Sequence, residues 1–357
     1  VPSIYATFSP SGRMYNRFWR ITETNEVGAL TISFDVSSSG FGNTATYELL
    51  VDSDDGDFTN ATRITGSYAS GTVTFTTTAG QISDGDWFTL GNTDGQIISV
   101  TSNIWGDPTT WNCNCVPGIL DDVIIDATHL VEVAADQSAL KLEVNSTGSL
   151  RVTGGSTLTI DSDILFNSSS NGSLVSISSL DISGNFTNGG SFSANDGVIN
   201  VAGNWINSST FTYSSGNEVI FDGASSSQSI DGDTDWYNLT INNTSTGVNF
   251  NSGTHNIENV FDINTGAVSN SANVVLLSTS SSTAQMADIN SGTYTGDITV
   301  QRRVEATTQG YRMFGSPVQG TSLANWMDDG VIFSGFPGSN YPTFFGGANA
   351  YFYNESL

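Results

Sequence analysis

Short runs in which apolar and polar residues alternate at a period of two fill most of this chain, and apolar residues seldom recur at helical spacing. Successive side chains of a strand point to opposite faces, so each run predicts a short strand with one face buried. FWRITE, ALTISFDV, TYELLVD, GTVTFTT and DWFTLG, separated by turn residues, predict an antiparallel β-sandwich over residues 1–98. Between about residues 140 and 300 the strands are shorter and are divided by Gly, Asn and Ser: LKLEVNSTGSLRV, STLTIDSDILF, SLDISGNF, GVINVAGNW, NEVIFDG and WYNLTIN. Here the sequence repeats itself. The stretch from Gly184 to Phe192 (GNFTNGGSF) aligns with that from Gly203 to Phe211 (GNWINSSTF) at a shift of about 19 residues, near the coil length of a solenoid. In a parallel β-helix the inward positions take Leu, Ile, Val and Phe, while Asn or Gly fills tight corners that need positive φ. A large antiparallel sandwich would show similar strands. The repeat, and the two tryptophans that precede the first rung, decide for the coil.

Two junctions interrupt this pattern. In NIWGDPTTWNCNCVPGILDDVIIDATHLVEV, two tryptophans and two prolines stand ahead of an apolar strand, so Trp105 and Trp111 are placed at the open end of the helix core. After about residue 292 the regularity gives way to an aromatic-rich stretch. The expected fold is therefore all-β: a β-sandwich (1–98), a right-handed parallel β-helix with an N-terminal cap (99–291), and the start of a further β-sandwich in a partial C-terminal module (292–357). Very little helix is expected, and no run of about 18 apolar residues is present to span a membrane.

Composition narrows the function classes. Nine Lys and Arg face 35 Asp and Glu, a formal net charge of −26, and Lys141 is the single lysine. Nucleic acid and anionic membrane both require a basic footprint, so neither is expected as a partner. Only 12% of residues are charged, and Ser, Thr, Asn and Gly supply the polar surface, which suits an extracellular protein contacting divalent cations or uncharged glycans. The chain starts at Val1 with neither Met nor signal peptide and has no terminating tail, and is read as a piece of something longer.

Candidate chemistry is sparse. In VDSDDGDF, Asp52, Asp54, Asp55 and Asp57 surround Gly56, and oxygen ligands at alternate turn positions are what calcium needs. The loop departs from the EF-hand in its glycine position and lacks the closing Glu, so a solvated acidic turn is the competing reading. A weaker candidate is DGDTDW, where Asp231, Asp233 and Asp235 would share one strand face. Cys113 and Cys115 are too few for a disulfide framework and too close for ordinary bridge geometry; the residues leave open two thiols, the favoured reading, or a local bridge. His129 and His255 belong to no ligand-spaced motif. Trp19, Trp87, Trp205 and Trp236 alternate with apolar neighbours and are read as core or corner residues. A lyase acting on acidic glycans needs cations and a base, and between residues 140 and 300 only Lys141, Arg151 and His255 are on offer. A hydrolase needs two facing carboxylates, which no motif marks. No enzyme is expected, with a carbohydrate-active β-helix hydrolase or lyase as the alternative.

Three stretches carry family resemblances. RFWRITET, VGALTISFDVSSSG, YELLVDSDDGDFTNAT and ISDGDWFTLG resemble a β-sandwich module that recurs in giant adhesin-like proteins of Bacteroidetes. Trp105, Trp111, Val116, Pro117, Asp121, Asp122 and Val123 resemble the opening of the eight-glycine domain and related bacterial modules, which leads into a parallel β-helix. VQRRV, GYRMFGSPV, ANWM and AYFYNE resemble a module found near the C-terminal end of type IX secretion cargo. Together the resemblances imply a type IX secreted cell-surface adhesin, stalk or filament protein tied to attachment or gliding. Its partners would be surface glycans or other cell-surface proteins and the secretion machinery, with self-association as a further option.

Overall fold

The structure, a computed structural model, describes residues 4–7, 13–15, 17–24, 28–36, 47–54, 56, 58, 61–92, 97–119, 121–289, 291–303, 322–328, 337 and 339. The chain divides into two units, Val1–Arg303 and Val304–Leu357. The fold is all-β, as its alternating pattern requires.

The N-terminal part of the first unit holds two small antiparallel sheets. One has six strands, with Tyr47–Asp52 between Trp87–Asn92 and Thr62–Thr65; the other places Thr72–Thr76 between Thr31–Asp35 and Ser67–Ala69. Tyr47, Leu49, Val51, Ile64 and Leu90 from the first sheet and Val73 and Phe75 from the second share one buried cluster. The two sheets therefore close on each other's apolar faces, the arrangement that half-buried strands demand.

From Ile97 to Val300 the chain winds as a parallel β-solenoid of about nine turns. Each turn lays one rung on each of three faces. The first face starts at Ile97–Ile98, followed by Asp122–Ile125, Lys141–Val144, Ile164–Phe166 and Phe186–Asn188. The second starts at Asn103–Ile104 and Leu130–Val133, and the third at Gln137–Ala139 and Thr157–Ile160. Near the far end a single 17-residue strand, Thr254–Asn270, passes over all three faces in turn, pairing with Thr234–Asn242, Val248–Phe250 and Ser291–Thr295. Inward positions alternate with outward ones along most rungs. Leu142, Val144, Leu150, Val152, Leu158 and Ile160 are all at or below 2% exposure, and each contributes roughly 1.5–3 kcal/mol by leaving water. The sequence repeat becomes rung pairing: Phe186 lies against Trp205 in register, and Phe192 against Phe211. Phe186 stacks on Trp205 at 4.2 Å between ring centroids.

Trp105 and Trp111 sit where the sequence placed them. Both are fully buried, 4.9 Å apart edge to face, and Trp111 Nε1 donates to the Trp105 carbonyl at 2.8 Å. The chain that carries Trp111 runs back along the first rung, with Ser99 bridging Trp111 in antiparallel sense.

Three expectations change. Cys113 and Cys115 form a disulfide rather than two thiols. Asn114 takes a left-handed conformation (φ +51°), which folds the three residues tightly and holds the Cα atoms 5.1 Å apart, within ordinary bridge range. The solenoid extends past the expected 99–291 limits at both ends. The last coil is lengthened by the loops between Leu276 and Ser291, which hide the repeat while Val275 still pairs with Thr299. Several corners that need positive φ are filled by neither Asn nor Gly: Thr128 and Thr147 both have φ +68° and Ser169 has φ +65°. The Asx residue two positions earlier carries the turn, in a side-chain ladder where Asn145 Nδ2 donates to Asp126 at 3.1 Å and Asn167 Nδ2 to Asn145 at 3.5 Å. The further sandwich expected from 292 lies almost wholly outside the described residues; within 304–357 the described element is the short helix Leu323–Asp328.

Candidate functional site

The acidic loop is built by the end of strand Tyr47–Asp52. Asp52 is buried, and its carboxylate accepts the backbone N–H of Asp54 at 3.2 Å and that of Gly56. Its oxygens close the turn on itself. Asp54 is exposed and engaged elsewhere, while Asp55 and Asp57 lie outside the described residues. Among the described residues no three His, Cys, Asp or Glu side chains converge as a metal-holding group.

The second candidate run is spread along a solenoid corner. Thr234 and Trp236 point inward, leaving Asp233 and Asp235 exposed. Each carboxylate is tied to the next coil: Asp231 accepts from Ser252 Oγ at 2.9 Å, Asp233 from the Thr254 N–H at 2.8 Å and Asp235 from Asn256 Nδ2 at 2.7 Å. These bonds bind coil to coil.

Inside the same coils runs a polar core that the sequence did not announce. Asn188 Nδ2 donates to Asn207 Oδ1 at 2.9 Å, Asn207 Nδ2 reaches Thr234 Oγ1 at 3.1 Å, and Trp205 Nε1 donates to that hydroxyl at 3.2 Å. One coil further on, His255 is wholly buried against Phe250 and Trp236, its Nε2–H donating to the Ser252 carbonyl at 3.1 Å. Burial holds its pKa below the usual histidine range, against the opposing pull of that carbonyl and of Asp233, Asp231 and Asp235. His255 is thus a neutral core residue.

Two outward features stand out. On the second face, Asn171 and Ser173, Ser191 and Ser193, and Thr210 and Thr212 lie in register on consecutive rungs. They form two adjacent columns of uncharged polar groups, spaced about 4.8 Å from coil to coil. The signal was present in the sequence as NGS, SFS and TFT within the repeat, with Gly172, Phe192 and Phe211 turned inward. Arg151 and Glu132, paired at 3.8 Å, precede them on the same face. On the third face Asp222 is half-buried, and its carboxyl is pushed above the usual range by burial first and by the charge of Asp181 second. At the next corner the Tyr213 hydroxyl is pushed up by burial, then by Glu258 and Asp235, and its ring lies 6.3 Å from that of Tyr237. Trp205 and Trp236 are fully buried, while Trp19 and Trp87 sit under Arg17 and Arg20 at 5.5 and 5.4 Å.

No curated protein and no solved structure matches this chain. Residues 5–86, which cover the N-terminal antiparallel sheets up to the strand Trp87–Asn92, match the family model described as Domain of unknown function (DUF8202).

Proposed function

We propose that this chain is part of an extracellular cell-surface adhesin or stalk protein that acts by binding and scaffolding rather than by catalysis. The observation that carries the reading is the in-register polar face of Asn171/Ser173, Ser191/Ser193 and Thr210/Thr212. Uncharged hydrogen-bonding groups on a rigid ladder suit neutral surface glycans or the polar flank of another surface protein. About nine turns at roughly 4.8 Å each give the stack a rise of about 40 Å, enough for a spacer. The net charge of −26 keeps such a surface soluble and repels anionic membranes. Export by type IX secretion and an origin in Bacteroidetes, with a role in attachment or gliding, belong to the same proposal and rest on the sequence resemblances.

The test is retention and turnover on a panel of glycans, with calcium and with chelator. Retention without new reducing or unsaturated ends is expected, and Ser193→Arg, which puts a long cation in the middle of the ladder, should weaken it roughly tenfold. Reproducible product formation would replace this reading with the enzymatic one. For that alternative the observation to follow is Asp222, whose carboxyl pKa is raised by burial first and by the charge of Asp181 second, the direction a general acid needs; Asp222→Asn would then abolish the product.

A further inference from the structure

The Cys113–Cys115 bridge closes a ring over one residue, whereas a structural disulfide gains most by closing a long loop. It pins no two elements together. The two sulfurs also differ in access: Cys113 is 8% exposed and belongs to the core cluster that includes Trp105 and Trp111, whereas Cys115 lies only partly buried at its edge. The Cys115 backbone N–H lies 3.2 Å from Cys113 Sγ, placed to donate to that sulfur when it carries charge. The chain has no other cysteine to compete.

We propose that Cys113–Cys115 is a reversible thiol–disulfide exchange site that takes an external thiol, either a small molecule or a cysteine on a partner. An incoming thiolate attacks Cys115 Sγ, the accessible sulfur, and a mixed disulfide forms at Cys115. The Cys113–Cys115 bond breaks, and its electron pair leaves on Cys113 Sγ as a thiolate that accepts the Cys115 N–H. Attack of the Cys113 thiolate back on Cys115 Sγ restores the ring and expels the thiol. No net oxidant or reductant is consumed. Because Trp111 and Trp105 hold the solenoid end by packing and by their own hydrogen bond, the ring can open without unfolding the first rung.

The experiment incubates the intact chain with a small neutral thiol such as 2-mercaptoethanol under native conditions, traps free thiols with iodoacetamide, and maps adducts by mass spectrometry beside a circular-dichroism melt. The thiol adduct should favour Cys115 over Cys113 by roughly tenfold, with iodoacetamide on Cys113 and an unchanged β signal. The double variant Cys113→Ser with Cys115→Ser should fold and take no adduct. A bridge that opens only in denaturant, or adducts found equally on both sulfurs, would overturn the proposal and leave the ring as a fixed turn.

Discussion

At the scale of single residues, the most informative side chains are polar ones held inside. His255 is neutral in the folded chain because burial depresses its pKa, so the unfolded chain takes up a proton at higher pH than the folded one does. The stability it permits is present above the unfolded value of about 6.5 and is lost as pH falls from there toward the lower folded value. Urea midpoints measured from pH 8 to pH 5 should therefore fall more steeply for the natural chain than for His255→Phe, and equal slopes would show that the ring is not buried neutral. Asp52 makes the complementary case. Its carboxylate accepts two backbone N–H groups in its own turn, so Asp52→Ala should destabilise the N-terminal sheets by about 1–3 kcal/mol, read as a lower urea midpoint.

At the scale of elements, the corners fix the register as firmly as the strands do. Gly232 sits at φ +89°, and a Cβ there would lie 1.8 Å from the Asn207 carbonyl oxygen of the preceding coil. Gly232→Ala should accordingly cost about 2–4 kcal/mol, whereas Ala at the open Gly154 should cost far less, a contrast that denaturant titration of both variants measures. Much of this architecture could be read in advance because rungs in register repeat their apolar positions. The match of 184–192 to 203–211 foretold the pairing of Phe186 with Trp205, and the paired tryptophans foretold the seal. What escaped did so for local reasons. A buried His or Asn carries no periodic signature distinct from an exposed one, so the Asn188–Asn207–Thr234 core was invisible until the coils were stacked. The left-handed Asn114 that lets Cys113 reach Cys115 is a conformation, not a composition. The polar columns of the second face were spelled out in NGS, SFS and TFT but lacked meaning before the faces were known.

At the scale of the whole molecule, a chain made of repeated coils should tolerate the loss of one. Deleting residues 186–204 would bring Trp205 into the place of Phe186, Phe211 into that of Phe192 and Val219 into that of Ile199. The shortened chain should still fold cooperatively, with a urea m-value reduced in rough proportion to the surface removed; collapse of the β signal would mean that the coils are not interchangeable. The charge of −26 also sets an expectation for cations. Calcium should raise the melting temperature relative to chelator by relieving self-repulsion and engaging the loop at Asp52–Asp57, and identical melts would leave that loop as a self-contained turn. The segment bearing Trp111 has a further consequence. A stack of parallel rungs is by nature a template on which more chain can accrete, but here the rim of the first face is bridged at Ile98, Ser99 and Val100 by the Thr110–Asn112 segment running the opposite way. A second parallel coil would have to displace that segment to pair with this face, so seeded, amyloid-like elongation is disfavoured there.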